Sequence, residues 1–276
     1  MSKVWFVTGS SRGLGRAIVE AALAAGNRVI ATARKPEQLA DLVARYPDTV
    51  RALALDVADN EAVKRVVAEA HGLFGQLDAV VNNAGYGDIA AIEDVTDADF
   101  KAQIDTNFYG TVYVTKAALP FLRQQGHGHI IQITSIGGRL HSIGLAGYQS
   151  AKWAVEGFSG ILAQEVAPLG IKVTIVEPGG FRTDWAGSSM TIPPVSAPYQ
   201  QTVGVRADLM RSGAFKPAGD PEKAAQVLLQ VVELPEPPLR LILGTSAYEM
   251  VTGFEADKAA ADKQWLHLIN ATEAQD

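Results

Sequence analysis

Tyr148 and Lys152 stand four residues apart in the run YQSAK, inside a stretch whose apolar spacing predicts a long helix over Gly147 to Leu169. At that spacing the two side chains share one helical face. A phenol alone in water titrates near pH 10, too high to trade protons efficiently at neutral pH. A cation roughly 4 Å away, at an effective dielectric near 20, favours the phenolate by about 4 kcal/mol before screening and burial are counted. Lys152 is placed to supply that charge, which would make the pair an acid and base. Tyrosine and lysine also meet by accident on many surface helices, and YxxxK alone supports that reading too.

Other residues bear on the choice. Ser135 ends the apolar run HIIQITS, thirteen residues before Tyr148. A parallel strand delivers its carboxyl end to the ligand crevice, where a hydroxyl can bind a substrate oxygen; a single Ser there is otherwise a turn former. Asn107, in TNFYG, is polar among apolar neighbours, and a buried amide satisfied by backbone fits that pattern as well as a functional one. TGSSRGLG, Thr8 to Gly15, lies between a predicted strand and a predicted helix. Its glycines at 9, 13 and 15 allow a tight turn, bare the backbone where a pyrophosphate must approach, and leave N–H groups at a helix N-terminus facing an anion. The spacing is TGxxxGxG, not GxGxxG. NNAG, Asn82 to Gly85, closes the fourth strand with small residues, and Asp56 follows the third.

Together with PGGFRT, Pro178 to Thr183, these motifs resemble the short-chain dehydrogenase/reductase family, in its compact branch, from about Val4 to Thr183. The resemblance implies hydride exchange with a nicotinamide cofactor and a catalytic set of Asn107, Ser135, Tyr148 and Lys152. It implies that Lys152 also holds the nicotinamide ribose, and that Asn107 kinks its helix and positions a water linking Lys152 to solvent. The implied cofactor contacts are Gly9, Ser11, Arg12, Gly13, Leu14 and Gly15 of the loop; Asp56 and Val57 at the adenine; Asn83, Ala84 and Gly85; and Tyr148 with Lys152. Pro178, Gly179, Phe181 and Thr183 complete them around the carboxamide. The segment holding Leu140, His141, Ile143 and Leu145 borders the substrate in this family. Relatives usually oligomerise through long helices, so a homo-oligomer, dimer or tetramer, is expected. Beyond Gly187 the resemblance covers architecture alone.

Charge placement speaks to the cofactor. A site preferring NAD carries an acidic residue at the end of the second strand, about 20 residues past the glycines. That place falls at Ala33, with Arg34 after it and Arg12 inside the glycine loop. Two guanidinium groups there could flank a 2′-phosphate, and NADP(H) is the expected cofactor.

The elements that must position these groups alternate. Short runs rich in Val, Ile and Leu predict strands at Val4 to Thr8, Arg28 to Thr32, Val50 to Leu55, Ala79 to Asn82, His129 to Ser135, Lys172 to Pro178 and Leu239 to Gly244. Helical patterns lie between them: Leu14 to Ala25, Asn60 to Phe74, a stretch opened by the capping-box spacing of Thr96 and Asp99, the Tyr148 helix, and Pro221 to Val232 after Asp220. This predicts a single α/β domain over 1–276, a Rossmann-type doubly wound, seven-stranded parallel sheet with helices on both faces. From Gly187 to Pro217, Pro193, Pro194 and Pro198 and no regular period predict a substrate lid, with Trp185, Met190, Ile192, Val195 and Tyr199 closing an apolar pocket or packing the insert on the body. A helical segment is expected over 246–276.

Composition excludes several classes. The 276 residues hold 24 Lys plus Arg against 30 Asp plus Glu, a formal charge of −6, so no bulk field draws nucleic acid or anionic lipid. No cysteine is present, which removes thiolate chemistry. His127 and His129 lack a third ligand at metal spacing and read as a loop before a strand, so no metal is expected. The opening MSKVWFVTGS has no secretory pattern and no apolar run reaches spanning length, so a cytoplasmic protein is expected. The leading function is interconversion of a carbonyl and an alcohol, on an apolar ketone or secondary alcohol. A non-catalytic NADP-sensing protein and an epimerase on the same scaffold are the alternatives.

Overall fold

In the computed structural model, residues 2–186 and 189–274 are described; positions 187 and 188, at the start of the expected lid, and 275 and 276, at the end of the expected tail, lie outside the described residues. Seven strands form one sheet: β1 (Val4–Val7), β2 (Arg28–Ala33), β3 (Val50–Ala54), β4 (Ala79–Asn82), β5 (Gly128–Ile133), β6 (Ile171–Pro178) and β7 (Arg240–Leu243). Their order is β3-β2-β1-β4-β5-β6-β7, and every pairing is parallel. The order reverses between β1 and β4, which opens a crevice at the carboxyl ends of the strands.

Each strand of a sheet covered on both faces must be apolar on both, which is why VWFV runs without alternation. Trp5 and Val7 join one core with α1 (Gly13–Ala24), α2 (Ala40–Arg45) and α8 (Pro221–Glu233). Val4 and Phe6 join the opposite core with α3 (Asn60–Phe74), α5 (Gly110–Gln125) and α6 (Ala146–Val166). The caps are local chemistry: Asp59 accepts from Ala62 N, Thr96 from Asp99 N at the start of α4 (Asp97–Ile104), and Asp220 from Glu222 N and Lys223 N with Pro221 in the first turn. A π turn, Asp105–Tyr109, joins α4 to α5. His129 lies within β5 rather than before it, buried and hydrogen-bonded through Nε2 to Thr174 Oγ1 at 2.9 Å.

The insert is more regular than its prolines suggest. It carries α7 (Val205–Arg211) after a short 3-10 turn at Ala197–Tyr199 that places Pro198 in its first positions. Val203 and Ala207 bury against Ile89, Ala91 and Leu145, and Trp185, Met190, Ile192, Val195 and Tyr199 pack around them. At its base the chain is clasped to itself: Arg182 N donates to Gly219 O at 2.9 Å, and Gly219 N to Gly180 O at 3.0 Å. The tail is helical over α9 (Thr245–Gln264) and α10 (Leu266–Asn270), and only Ala247 and Val251 of these are buried. No helix among the described residues is long and apolar enough to cross a membrane.

Candidate active site

The loop after β1 and the turn after β4 are laced together before any ligand is considered. Thr8 Oγ1 accepts from Asn83 N and Ala84 N, both at 3.0 Å, while Asn83 Nδ2 donates to Thr8 O at 2.9 Å and Gly9 O at 3.1 Å. Gly9 has φ of +66° and a Cβ there would lie 2.8 Å from Ala84 Cα, so only glycine lets the two backbones meet. Gly15 packs beneath, against the Asn83 side chain. The N-terminus of α1 has no side-chain cap and no acidic residue in its first turn. It opens on a cleft of about 700 Å³ lined by Gly9, Ser11, Arg12, Gly13, Leu14 and Arg34 at this end.

Asp56, Val57, Asn83, Ala84 and Gly85 continue the lining, and Pro178, Gly179, Phe181 and Thr183 stand along it. Asp56 also accepts from Ala58 N at 3.0 Å, so its turn-forming role is real as well. These residues suit an anionic dinucleotide: uncapped helix N–H groups and two arginines at one end, small residues along the middle, and Ala33 where a carboxylate would repel a 2′-phosphate.

At the other end α6 turns Tyr148, Gln149 and Lys152 into the cleft beside Ser135. Tyr148 is 7% exposed and Lys152 4%. A side-chain hydrogen bond joins the phenol to Ser135, and Ser135 Oγ accepts from Gly137 N at 3.0 Å. Lys152 Nζ lies 5.7 Å from the Tyr148 ring centroid and donates to Ile133 O at 2.8 Å.

The electrostatics differ from the sequence-based expectation. Burial pushes the Tyr148 phenol up to about 12, with only the Ser135 bond drawing it down. Burial likewise pushes Lys152 down to about 8, opposed by the charge of Glu156 one turn along α6. In the protein alone burial sets the direction at the phenol, and the ammonium's hydrogen bond goes to the Ile133 carbonyl.

Asn107 is fully buried in the π turn and satisfied by backbone: Oδ1 accepts from Tyr86 N at 3.1 Å, and Nδ2 donates to Tyr86 O at 2.9 Å and Gln103 O at 2.8 Å. A Cβ on Gly85 would fall 2.5 Å from Asn107 Oδ1 and 3.5 Å from Lys152 Nζ, so the amide lies under the same corner of the cleft as the lysine.

Among the expected substrate residues, Trp185 lines the cleft with its ring 5.1 Å from that of Tyr148. Met190 belongs to the packing under the insert, Leu140 is buried with its carbonyl facing Trp153 Nε1, and Ile143 points to solvent at 56% exposure; the cleft lining includes none of the three. His141 stacks on Trp153. Of the expected segment Leu145 does line this end, together with Ser142, Gln149, Thr191 and Arg206. Arg206 had no motif around it. Glu156 was legible in principle, four residues past Lys152 in YQSAKWAVE. No group of three metal-ligating side chains occurs among the described residues.

The family model for short chain dehydrogenases matches residues 3–191. An oxidoreductase of Botryotinia fuckeliana, BOA17, is 54% identical over 273 residues, 99% of this chain and 100% of that protein. A short-chain dehydrogenase structure from Streptomyces avermitilis superimposes with a TM-score of 0.93 at 40% identity, over 99% of this chain and all of the other. An alcohol dehydrogenase from Thermococcus sibiricus, complexed with 5-hydroxy-NADP, superimposes with a TM-score of 0.73 at 26% identity, over 88% and 96% of the two chains. With its laced glycine turn, its reversed strand order and its Ser beside a buried Tyr and Lys, this chain belongs to the short-chain dehydrogenase family of oxidoreductases.

Proposed function

We propose that the protein interconverts a carbonyl and an alcohol using NADP(H), on an apolar ketone or secondary alcohol. The observation that carries the reading is one cleft with Arg12 and Arg34 at one end and Ser135, Tyr148 and Lys152 at the other. Gly9, Ser11, Arg12, Gly13, Leu14, Arg34, Asp56, Val57, Asn83, Ala84, Gly85, Tyr148, Lys152, Pro178, Gly179, Phe181 and Thr183 would hold the cofactor, which supplies the hydride exchanged with the carbonyl carbon when bound. Ser135 orients the substrate oxygen by hydrogen bonding. Tyr148 holds the proton at its phenol oxygen and gives it to that oxygen in reduction, and takes it back in oxidation. Lys152 places a positive charge beneath the phenol, and Asn107 fixes the Tyr86 and Gln103 backbone beside it. Trp185, Leu145, Ile136 and Phe181 make this end of the cleft apolar. Assembly into a homo-oligomer and a cytoplasmic location belong to the same proposal.

The test is a spectrophotometric screen of aryl and alkyl ketones with NADPH and NADH, repeated with Tyr148→Phe. We expect NADPH oxidation by the native protein and a loss of about a hundredfold or more in kcat on removing the phenol oxygen, with NADPH affinity retained. Undiminished turnover by the variant would discard the acid and base assigned here.

A further inference from the structure

Arg206 is the one cleft-lining residue contributed by α7, and its setting is unusual for a guanidinium. Its Nε is buried with no hydrogen-bond partner among the described residues. It enters none of the ion pairs found among them, although Asp208 and Arg211 of the same helix pair with each other. Burial lowers its pKa, and no carboxylate raises it in return. A half-buried guanidinium without a counter-charge carries a desolvation cost that an incoming anion would offset.

The position of α7 says which end of the cleft that anion occupies. Val203 and Ala207, flanking Arg206, pack on Leu145 and Ile89, and Leu145 lies three residues before Tyr148. Arg12 and Arg34, by contrast, stand at the glycine turn and the end of β2. Of the three carboxylates lining the cleft, Asp56 stands with the glycine-turn end and accepts from Ala58 N at 3.0 Å, Asp88 is engaged with Oδ1 accepting from Thr191 N at 2.8 Å, and Asp184 sits in the short turn beside Trp185. None of the three forms an ion pair with the guanidinium among the described residues.

We propose that Arg206 binds a carboxylate on the substrate, so that the protein acts on a carbonyl compound with an apolar body and an anionic end. This rests on the carbonyl reductase reading above and narrows its substrate class. The guanidinium matches a carboxylate with two parallel N–H···O bonds, and the surrounding Trp185 and Leu145 cover the apolar part.

The closing experiment compares benzoylpropionate, an aryl keto acid, with its methyl ester. In the native protein with NADPH, kcat/KM is expected to favour the acid by about ten- to hundredfold, the size of a charge-assisted bidentate contact. In Arg206→Met that preference collapses toward unity, mainly through KM, and Arg206→Lys retains part of it. A melting scan with and without NADPH shows whether each variant is folded. Calorimetric binding of phenylbutyrate and its amide reads the same subsite without turnover: the native protein binds the acid more tightly, and Arg206→Met binds both alike.

No acid preference in the native protein, or an unchanged preference in Arg206→Met, overturns the proposal. A raised NADPH Kd in Arg206→Met with the acid preference intact would assign the arginine to the cofactor's phosphates and overturn it as well. Preferential acid binding without NADPH oxidation would leave the subsite standing and sink the reductase reading instead.

Discussion

Burial holds the proton on Tyr148 well beyond neutrality, so the titration that shapes the pH profile belongs to Lys152. Its ammonium is retained below about pH 8 and lost above it. Since kcat/KM reports the free enzyme, its value for reduction is expected to fall as pH rises through that region. Glu156 is the charge that holds Lys152 up, so Glu156→Gln should move this fall to lower pH, with kcat/KM against pH as the measurement. An unmoved limb would mean that Glu156 serves only Thr134 and Arg240, its other partners. The pairing of phenol and amine was legible in YQSAK because four-residue spacing is local geometry. The direction of the phenol's pKa was not, because it is decided by what lies over the pair, and Trp185 comes from a distant part of the chain. Arg206 escaped notice for the same reason.

The end of β2 carries the prediction on cofactor choice. Replacing Ala33 by Asp and Arg34 by Ala puts a carboxylate where a 2′-hydroxyl would be met and removes one guanidinium, so the ratio of kcat/KM for NADPH over NADH should reverse. The π turn before α5 makes a second case. Asn107→Ala leaves Tyr86 N–H, Tyr86 C=O and Gln103 C=O without their partner, and urea unfolding is expected to show a loss of about 1–3 kcal/mol. The strands were readable to within a residue or two, because two-faced burial demands continuous apolar runs bounded by turn residues. The helices with caps, at Asp59, Thr96 and Asp220, were equally plain. The π turn and α7 were hidden: the first repeats a helical pattern with one extra residue, and the second follows prolines that mark only where its preceding turn begins.

Folding as a whole is coupled to acid through His129, which is buried in β5 between β4 and β6. Burial, aided by Lys172 and Lys3, pushes its pKa down to about 4. A base with a depressed folded pKa is neutral in the native state and takes up a proton on unfolding, so its contribution is whole above about pH 6.5 and is lost as pH falls toward 4. That amounts to about 3 kcal/mol. Urea midpoints should drop between pH 7 and pH 5, and His129→Gln, which keeps a partner for Thr174, should flatten the drop. The paired peptides at Gly180, Arg182 and Gly219 have a bearing on how such a molecule diversifies. They shut the intervening stretch into a closed ring whose ends are fixed independently of what it contains. A foreign stretch spliced between those anchors leaves the sheet's pairing in place and exchanges one wall of the cleft like a cartridge, provided the splice begins after Trp185, whose ring lies against Tyr148.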